Sequence, residues 1–336
     1  MTSAIRFSSN MVDPSSLHSH DPGAIPVLFI MGPTASGKTG LALHLAEHFP
    51  LEIVNADSVQ VYRGMDIGSA KPTLQERQAI VHHLIDVTTP DDPFSAGRFR
   101  TAALEVIEDC HRRGVIPALV GGTGFYFRAV EQGIAEIPEV DAQIVAELNR
   151  RVCDEVGLAC CYAQLQQVDP PWAARVEPGD RQRIVRGLSV YLASGQPLSY
   201  WQQLSCQQAP EGPALRICKL AIEWPREQLY ARINQRFEQM LKEGFMEEVQ
   251  GLLSRGYHGD LPAMRAVGYR ALIGYLQGAY DLARAVELGQ RDSRRYAKRQ
   301  ITWLKAEPGL QWLAPEGAKQ AALDEVRAFL QFFKKK

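Results

Sequence analysis

The sequence predicts an α/β fold, with a parallel sheet flanked by helices and a helical insertion domain. Residues 32–39, GPTASGKT, match the phosphate-loop pattern G-x-x-x-x-G-K-[ST] at every fixed position. The apolar run at 27–30 precedes the loop, and Leu41, Leu45 and Phe49 follow it at helical spacing. Further short apolar runs alternate with helical patterns, as in a doubly wound parallel sheet. These features predict a P-loop NTPase-like core.

The loop is expected to bind a diphosphate or triphosphate. Its glycines let successive N–H groups point inward, and the following helix adds partial positive charge at its N-terminus. Lys38 can place a full charge on a terminal phosphate, and the Thr39 hydroxyl can ligate Mg²⁺. A glycine turn that binds nothing is the less favoured alternative. The predicted diphosphate-binding residues are Gly32, Pro33, Thr34, Ala35, Ser36, Gly37, Lys38 and Thr39.

Composition restricts the class of protein. The chain has 336 residues, 46% apolar and 22% charged, with a formal net charge of −1. No apolar run approaches the ~20 residues that span a bilayer, so no membrane contact is expected. Six cysteines without a C-x-x-C pair predict reduced thiols and a cytoplasmic protein. Because the net charge is close to zero, a nucleic-acid site must be a local basic face.

The second apolar run, at 51–58, ends in polar residues. Ligands of open α/β sheets sit at the carboxyl ends of strands, so Asp57 is expected beside the phosphate loop. Capping of a following turn by Asp57 is the alternative. Further strands are predicted at 82–87 and 115–120, with a helix at 94–112 between them. The GGTG sequence after the 115–120 run would let backbone approach a ligand closely.

From about residue 138 the apolar pattern changes from alternating strands and helices to helices alone. Val140, Ile144, Leu148 and Val152 form a helical stripe, and no strong strand follows until a returning strand at 215–222. The sequence therefore predicts a disordered leader at 1–23, a discontinuous P-loop core at 24–137 and 212–315, a helical insertion at 138–211, and a C-terminal helix or tail at 316–336.

Three segments are basic. Residues 181–186 hold three arginines, 265–270 hold two, and 291–305 hold six cations and one anion. Several Lys or Arg side chains are needed to displace counterions from a phosphate backbone, so these segments predict nucleic-acid contact. A solvated charged face is the alternative for 181–186.

The motifs in their order resemble the IPP transferase family, the bacterial tRNA dimethylallyltransferases. The segments that carry the resemblance are GPTASGKT, NADSVQVYRGMDIGSAKP, HHLIDV, FSAGRFR, LVGGTGFYFRAV, DRQRIVRGLSVY, RAVGYR and YAKRQITWLK, within residues 25–315. The resemblance implies transfer of a dimethylallyl group from dimethylallyl diphosphate. The acceptor would be the N6 amine of the adenosine immediately 3′ to the anticodon, in tRNAs that read codons beginning with U. It also implies Mg²⁺, a tRNA anticodon stem-loop as partner, and a monomer.

The resemblance also implies roles for residues. Asp57 would activate the adenine amine and take its proton, Thr123 would orient the base or support the diphosphate, and Lys38 would neutralise the leaving group. Arg232 is expected to clamp the diphosphate, with Arg236 left open as the alternative. The residues expected to contact tRNA are Asp57, Ser58, Val59, Gln60, Gln182, Arg183, Ile184, Val185, Arg186, Arg265, Ala266, Val267, Gly268, Tyr269, Arg270, Lys298, Arg299 and Gln300.

The adenine must leave its stack to react, so a channel for a flipped nucleotide is expected. Phe125 and Tyr126 are candidate walls of this channel, with core packing as the alternative. One position departs from the family: Val145 stands where an arginine is usual, and no site is assigned there.

Three other functions remain to be distinguished. A small-molecule or nucleotide kinase would have no need of the basic segment at 291–305. An isopentenyltransferase acting on free adenine nucleotides would lack the helical insertion. An NTP-dependent RNA-binding switch without chemistry would give Asp57 no role.

Overall fold

The computed structural model describes residues 23–207 and 212–334. The predicted disordered leader lies outside these residues except for Gly23, as does the end of the predicted insertion at 208–211. Within the described part of the chain, no helix is long and apolar enough to cross a membrane.

A six-stranded parallel sheet forms the centre of the fold, with strand order β3-β2-β4-β1-β5-β6. The strands are β1 (Ile25–Met31), β2 (Leu51–Asn55), β3 (His82–His83), β4 (Ile116–Gly121), β5 (Leu215–Ile222) and β6 (Leu310–Leu313). The apolar runs of β1, β2 and β4 are buried almost throughout, because helices cover both faces. The predicted α/β class is therefore confirmed.

The described residues include fourteen α-helices. They are α1 (Lys38–Ala46), α2 (Leu74–Ala79), α3 (Ala96–Arg112), α4 (Gly124–Gln132), α5 (Ala142–Arg151), α6 (Glu155–Val168), α7 (Pro170–Ala173), α8 (Arg181–Ser194), α9 (Leu198–Gln207), α10 (Arg226–Lys242), α11 (Phe245–Ser254), α12 (Tyr269–Leu276), α13 (Leu282–Lys305) and α14 (Ala318–Lys334).

The sheet has a core on each face. Alternate β1 side chains point to opposite faces, so Leu28 packs with residues of α1 and α14, whereas Phe29 packs with residues of α3, α4 and α13. Helix α13 therefore lies on the face opposite α14. This arrangement leaves the carboxyl edge of the sheet free for the loops that follow β1, β2 and β4.

Helices α5 to α8 build a separate hydrophobic core. Leu148, Leu165, Ile184 and Leu188 are among its fully buried members, and the partly buried Val145 packs against this core. The basic segment of α8 therefore projects from a helical unit with its own core.

One predicted strand is wrong over most of its length. The strand predicted at 82–87 ends at His83, because Leu84 and Asp86 adopt left-handed φ values of 61° and 58°. The Asn55 side chain donates to the Leu84 carbonyl at 2.9 Å, which holds this bend. The adjacent histidines use separate hydrogen bonds: His82 Nδ1 lies 2.9 Å from the Ile80 carbonyl, and His83 Nε2 lies 2.7 Å from Glu52 Oε2.

Candidate active site

The phosphate loop joins β1 to α1 at the carboxyl edge of the sheet. Gly37 adopts a left-handed φ of 94° at the N-cap of α1. A side chain at Gly32 would place its Cβ 2.7 Å from Ser36 Oγ, so only glycine fits there. Lys38 folds back over the loop, and its Nζ donates to the Pro33 carbonyl at 2.7 Å. The local geometry follows the pattern in the sequence.

The electrostatics of Lys38 reflect its enclosure. The pKa of Lys38 is lowered to about 8: burial is the main cause, the negative charge of Asp57 opposes the shift, and the positive charge of Arg236 adds to it. Because burial removes solvation from the Lys38 ammonium, an anionic ligand would stabilise its charged form. The loop is therefore prepared for a phosphate group.

Asp57 follows β2 and lies beside the phosphate loop. It lines one cavity with Lys38 and Thr39. Its Oδ1 also accepts a hydrogen bond from the Val59 N–H at 2.9 Å. The two alternatives predicted for Asp57 are therefore compatible, since its carboxylate caps a turn and also lines the cavity.

Thr123 connects the turn after β4 to the turn after β2. Its Oγ1 accepts from the Ser58 N–H at 3.0 Å and donates to Ser58 Oγ at 3.3 Å. A Cβ at Gly121 would lie 2.1 Å from the Ala56 carbonyl oxygen. Gly121 therefore lets the Ala56 backbone approach closely, and it also belongs to the cavity lining, so the expectation that this turn admits a ligand stays a prediction.

The cavity has a volume of about 480 Å³ and a mixed lining. Its polar wall includes Lys38, Thr39, Asp57, Ser58, Gln60, Arg236, Tyr296 and Arg299. Its apolar wall includes Ile85, Phe94, Phe237, Met240, Phe245 and Val267. A second, more open groove of about 1080 Å³ shares Lys38, Thr39 and Arg236 with it. The end of the phosphate loop therefore borders both the cavity and the groove.

The two candidate clamp arginines differ in their contacts. Arg232 Nε donates to the Ala35 carbonyl at 3.0 Å, and its guanidinium lies 4.3 Å from the centre of the Trp224 ring. Arg236 lines both the cavity and the groove, and burial lowers its pKa. Arg232 lines the groove and contacts the loop backbone, whereas Arg236 lines the cavity as well, and the choice between them as the diphosphate clamp stays a prediction.

Tyr296 is a cavity residue that sequence reasoning missed. It lines the cavity, its hydroxyl hydrogen-bonds Thr123, and burial together with the charge of Asp57 raises its pKa. Ser293 and Gln300 share the cavity lining with Tyr296 and lie at helical spacing from it. That spacing on α13 was the signal available in the sequence.

The predicted tRNA-contacting residues fall into three groups. Those whose side chains are largely exposed are Gln182, Arg183, Arg186, Arg265, Arg270, Lys298 and Arg299. Those that line the cavity are Asp57, Ser58, Val59, Gln60, Arg265, Ala266, Val267, Arg299 and Gln300. Gly268, with a φ of 91°, turns the chain into α12.

The third group consists of residues predicted to contact tRNA whose side chains are buried. Ile184 and Val185 are buried in the insertion core, and Tyr269 is fully buried, with its hydroxyl donating to Glu248 at 2.7 Å. Helical periodicity turns these side chains inward between their exposed neighbours, so they offer no surface to RNA.

The candidate channel aromatics do not line the cavity as expected. The Tyr126 ring stacks on Phe99 with centroids 3.9 Å apart, and its hydroxyl donates to the Phe94 carbonyl at 3.1 Å. Phe125 is 62% exposed on the surface and is absent from the cavity lining. The core-packing alternative is therefore correct for Tyr126.

A carboxylate on α11 holds the loop that follows β2. Glu248 accepts from the N–H groups of Asp66 and Ile67, both at 2.7 Å, and of Gly68 at 3.1 Å. Gly68 belongs to the cavity lining, and a Cβ there would lie 2.0 Å from the Phe245 ring. Glu248 thus fixes one wall of the cavity.

Replacing Glu248 with Gln should lower the free energy of unfolding by about 2 kcal/mol, because the amide nitrogen cannot accept from these N–H groups. Urea denaturation measures the change. Glu247→Gln is the matched control: its side chain is exposed on the same turn, and a change within about 0.5 kcal/mol is expected. Equal stability of the two variants would contradict this role of Glu248.

The fold and the site define a class: an α/β protein whose phosphate loop, at the carboxyl edge of a parallel sheet, faces a cavity that also holds a carboxylate. The model of the IPP transferase family matches residues 60–307. The chain belongs to the IPP transferase family.

Relatives and solved structures agree with this assignment. The tRNA dimethylallyltransferase of Syntrophobacter fumaroxidans is 46% identical over 86% of this chain and 83% of its own length. That of Geobacter sulfurreducens is 47% identical, over 85% and 91%. A tRNA isopentenylpyrophosphate transferase from Bacillus halodurans has a TM-score of 0.68 and 33% identity, covering 92% of this chain and 98% of that one. A eukaryotic dimethylallyltransferase acting on tRNA has a TM-score of 0.75 and 25% identity, covering 92% and 80%.

Proposed function

We propose that this chain transfers a dimethylallyl group from dimethylallyl diphosphate to the N6 amine of the adenosine immediately 3′ to the anticodon, in tRNAs that read codons beginning with U. The products are N6-isopentenyladenosine and diphosphate. One observation carries the proposal: the phosphate loop and the Asp57 carboxylate line a single cavity that also has an apolar wall. Membership of the IPP transferase family supports it, and does not favour the kinase alternative.

The donor occupies the cavity with its diphosphate on the phosphate loop. Lys38 exchanges its contact with the Pro33 carbonyl for a phosphate oxygen, and Arg236 supplies a second positive charge. The side chains of Phe237, Met240 and Phe245 suit a hydrocarbon group. The cavity therefore offers each half of the donor a matching wall.

The acceptor amine approaches Asp57. An adenine amine is a weak nucleophile, because its lone pair is delocalised into the ring. The Asp57 carboxylate accepts a hydrogen bond from it and takes a proton as the new N–C bond forms and the C–O bond to diphosphate breaks. Thr123 holds the turn that carries Asp57 through its bonds to Ser58.

The Thr39 hydroxyl is the group that would hold Mg²⁺ on the protein side, together with oxygens of the bound diphosphate. Bound there, Mg²⁺ would neutralise charge on the leaving diphosphate.

The tRNA partner binds through its anticodon stem-loop to the exposed cations of α8 and α13, and of the segment before α12. We propose that the protein acts as a monomer in the cytoplasm. Purified protein, unmodified tRNA and labelled dimethylallyl diphosphate test the function: label should enter RNA. ATP turnover with a small acceptor, and no label in RNA, would instead support a kinase.

If the basic face of α13 binds tRNA, the affinity for tRNA should depend on salt concentration through its exposed arginines. Arg295→Glu or Arg299→Glu should weaken binding of all tRNAs alike and flatten the dependence of affinity on salt concentration, because fewer counterions are released. Donor binding should change much less with salt. Filter binding at several salt concentrations measures both slopes.

The matched control is Arg327→Glu on α14, which packs on the opposite face of the sheet and is half exposed beside Asp324. Its salt slope should equal that of the wild type. A slope unchanged in the α13 variants as well would mean that this face of α13 does not meet RNA.

A further inference from the structure

The side-chain amide of Gln300 connects two loops of the site. Its Oε1 accepts from the Thr34 N–H at 3.0 Å, and its Nε2 donates to the Gly122 carbonyl at 2.9 Å. Gln300 is only 7% exposed. A Cβ at Gly122 would lie 2.2 Å from this Nε2, so glycine is required there for the approach.

The two loops carry the two halves of the reaction. Thr34 belongs to the phosphate loop after β1, which holds the donor in the proposed function. Gly122 directly precedes Thr123, whose hydroxyl holds the turn that contains Asp57. The Gln300 amide thus spans the separation between the leaving group and the proton acceptor.

We propose that Gln300 is a positioning residue that fixes the distance between the diphosphate cradle and the Asp57 turn, rather than a contact to tRNA. This deepens the proposed function and rests on it. The Thr34 N–H already has its partner in Gln300, so it is not one of the amides left for phosphate. Gln300 is buried on α13, whereas the neighbouring Arg299 is exposed.

The chemistry of the contact explains the residue type. One loop offers a donor and the other an acceptor, and a primary amide presents one acceptor and one donor group at a fixed separation. Near-attack geometry is sensitive to small errors, since a displacement of about 1 Å can cost on the order of 100-fold in rate. Loss of the amide should therefore slow the chemical step while each ligand still finds its own half of the site.

Gln300→Met keeps the length of the side chain and removes both hydrogen bonds. We expect its single-turnover rate, with donor and tRNA saturating, to fall by about 10–100-fold. Dissociation constants for dimethylallyl diphosphate and for tRNA, each measured alone, should stay within about threefold. Gln290→Met is the control on the same helix, because its amide bonds Glu238 at 3.1 Å and contacts no loop of the site.

Gln300→Glu gives a signature that a purely structural role would not. The carboxylate keeps an acceptor for Thr34 but opposes the Gly122 carbonyl; when protonated, it donates again. Burial raises the pKa of a carboxyl, so the ratio of variant to wild-type rate should increase as the pH falls from about 8 to about 6. The ratio for Gln300→Met should not depend on pH.

Three results would overturn the inference: equal single-turnover rates for Gln300→Met and Gln290→Met, a loss confined to tRNA affinity, or a pH-independent ratio for Gln300→Glu. These failures are separate from failure of the proposed function, in which the wild type itself would place no label in RNA.

Discussion

Asp57→Asn should lower the single-turnover rate by a factor on the order of 10²–10⁴, with a much smaller change in donor affinity. The amide keeps the size of the side chain and loses the charge and the ability to take the proton. It also keeps the oxygen that accepts from the Val59 N–H, so the turn stays capped. The melting temperature of this variant should therefore remain close to that of the wild type.

The comparison of rate and stability in one variant separates the two interpretations of Asp57. If Asp57 only capped the turn, Asp57→Ala would lower the melting temperature, and every folded molecule would still react at the normal rate. Thr123→Ala is the graded control: it removes neutral hydrogen bonds to Ser58, each of about 0.5–1.5 kcal/mol, and should slow transfer less than Asp57→Asn. Full single-turnover activity in Asp57→Asn would contradict a catalytic role for Asp57.

Lys38→Ala should nearly abolish transfer, because the leaving diphosphate loses a point charge that no neighbouring residue can supply from the same position. Isothermal titration with dimethylallyl diphosphate should show weaker binding as well. In the wild type, donor affinity should fall as the pH rises past about 8, where the free protein loses the Lys38 proton. Wild-type transfer by Lys38→Ala at saturating donor would show that the loop does not hold the diphosphate.

Stability provides the control for Lys38. Its pKa in the folded protein is lowered from 10.5 to about 8, so between these values the unfolded chain binds more protons and the contribution of Lys38 to stability rises with pH. At pH 7 the enclosed charge is a cost to the fold, and Lys38→Met should be no less stable than the wild type. Lys319→Ala, an exposed lysine on α14, should leave transfer and stability unchanged. A large loss of stability in Lys38→Met would attribute its inactivity to misfolding.

The sequence alone predicted the fold class and the centre of the site. Strand, loop and helix around residues 32–39 form a local pattern, because glycine conformations and alternating apolar runs depend on neighbours along the chain. The same holds for β5, which the structure places at Leu215–Ile222 as predicted. The prediction of Asp57 beside Lys38 needed one further rule, that ligands meet the carboxyl ends of parallel strands.

Only the tertiary structure decided which residues within each motif face the site. Basic and apolar residues alternate in 181–186 and 265–270, and sequence reasoning assigned whole segments to RNA; packing turned Ile184, Val185 and Tyr269 inward. The contacts of Arg232 and Arg236 were likewise open in the sequence, since both lie on α10 one turn apart; the structure places Arg232 against the Ala35 carbonyl and Arg236 in the cavity lining. Gln300 reaches Thr34 across 266 positions of the chain, and no periodicity in the sequence reports a contact between residues so far apart.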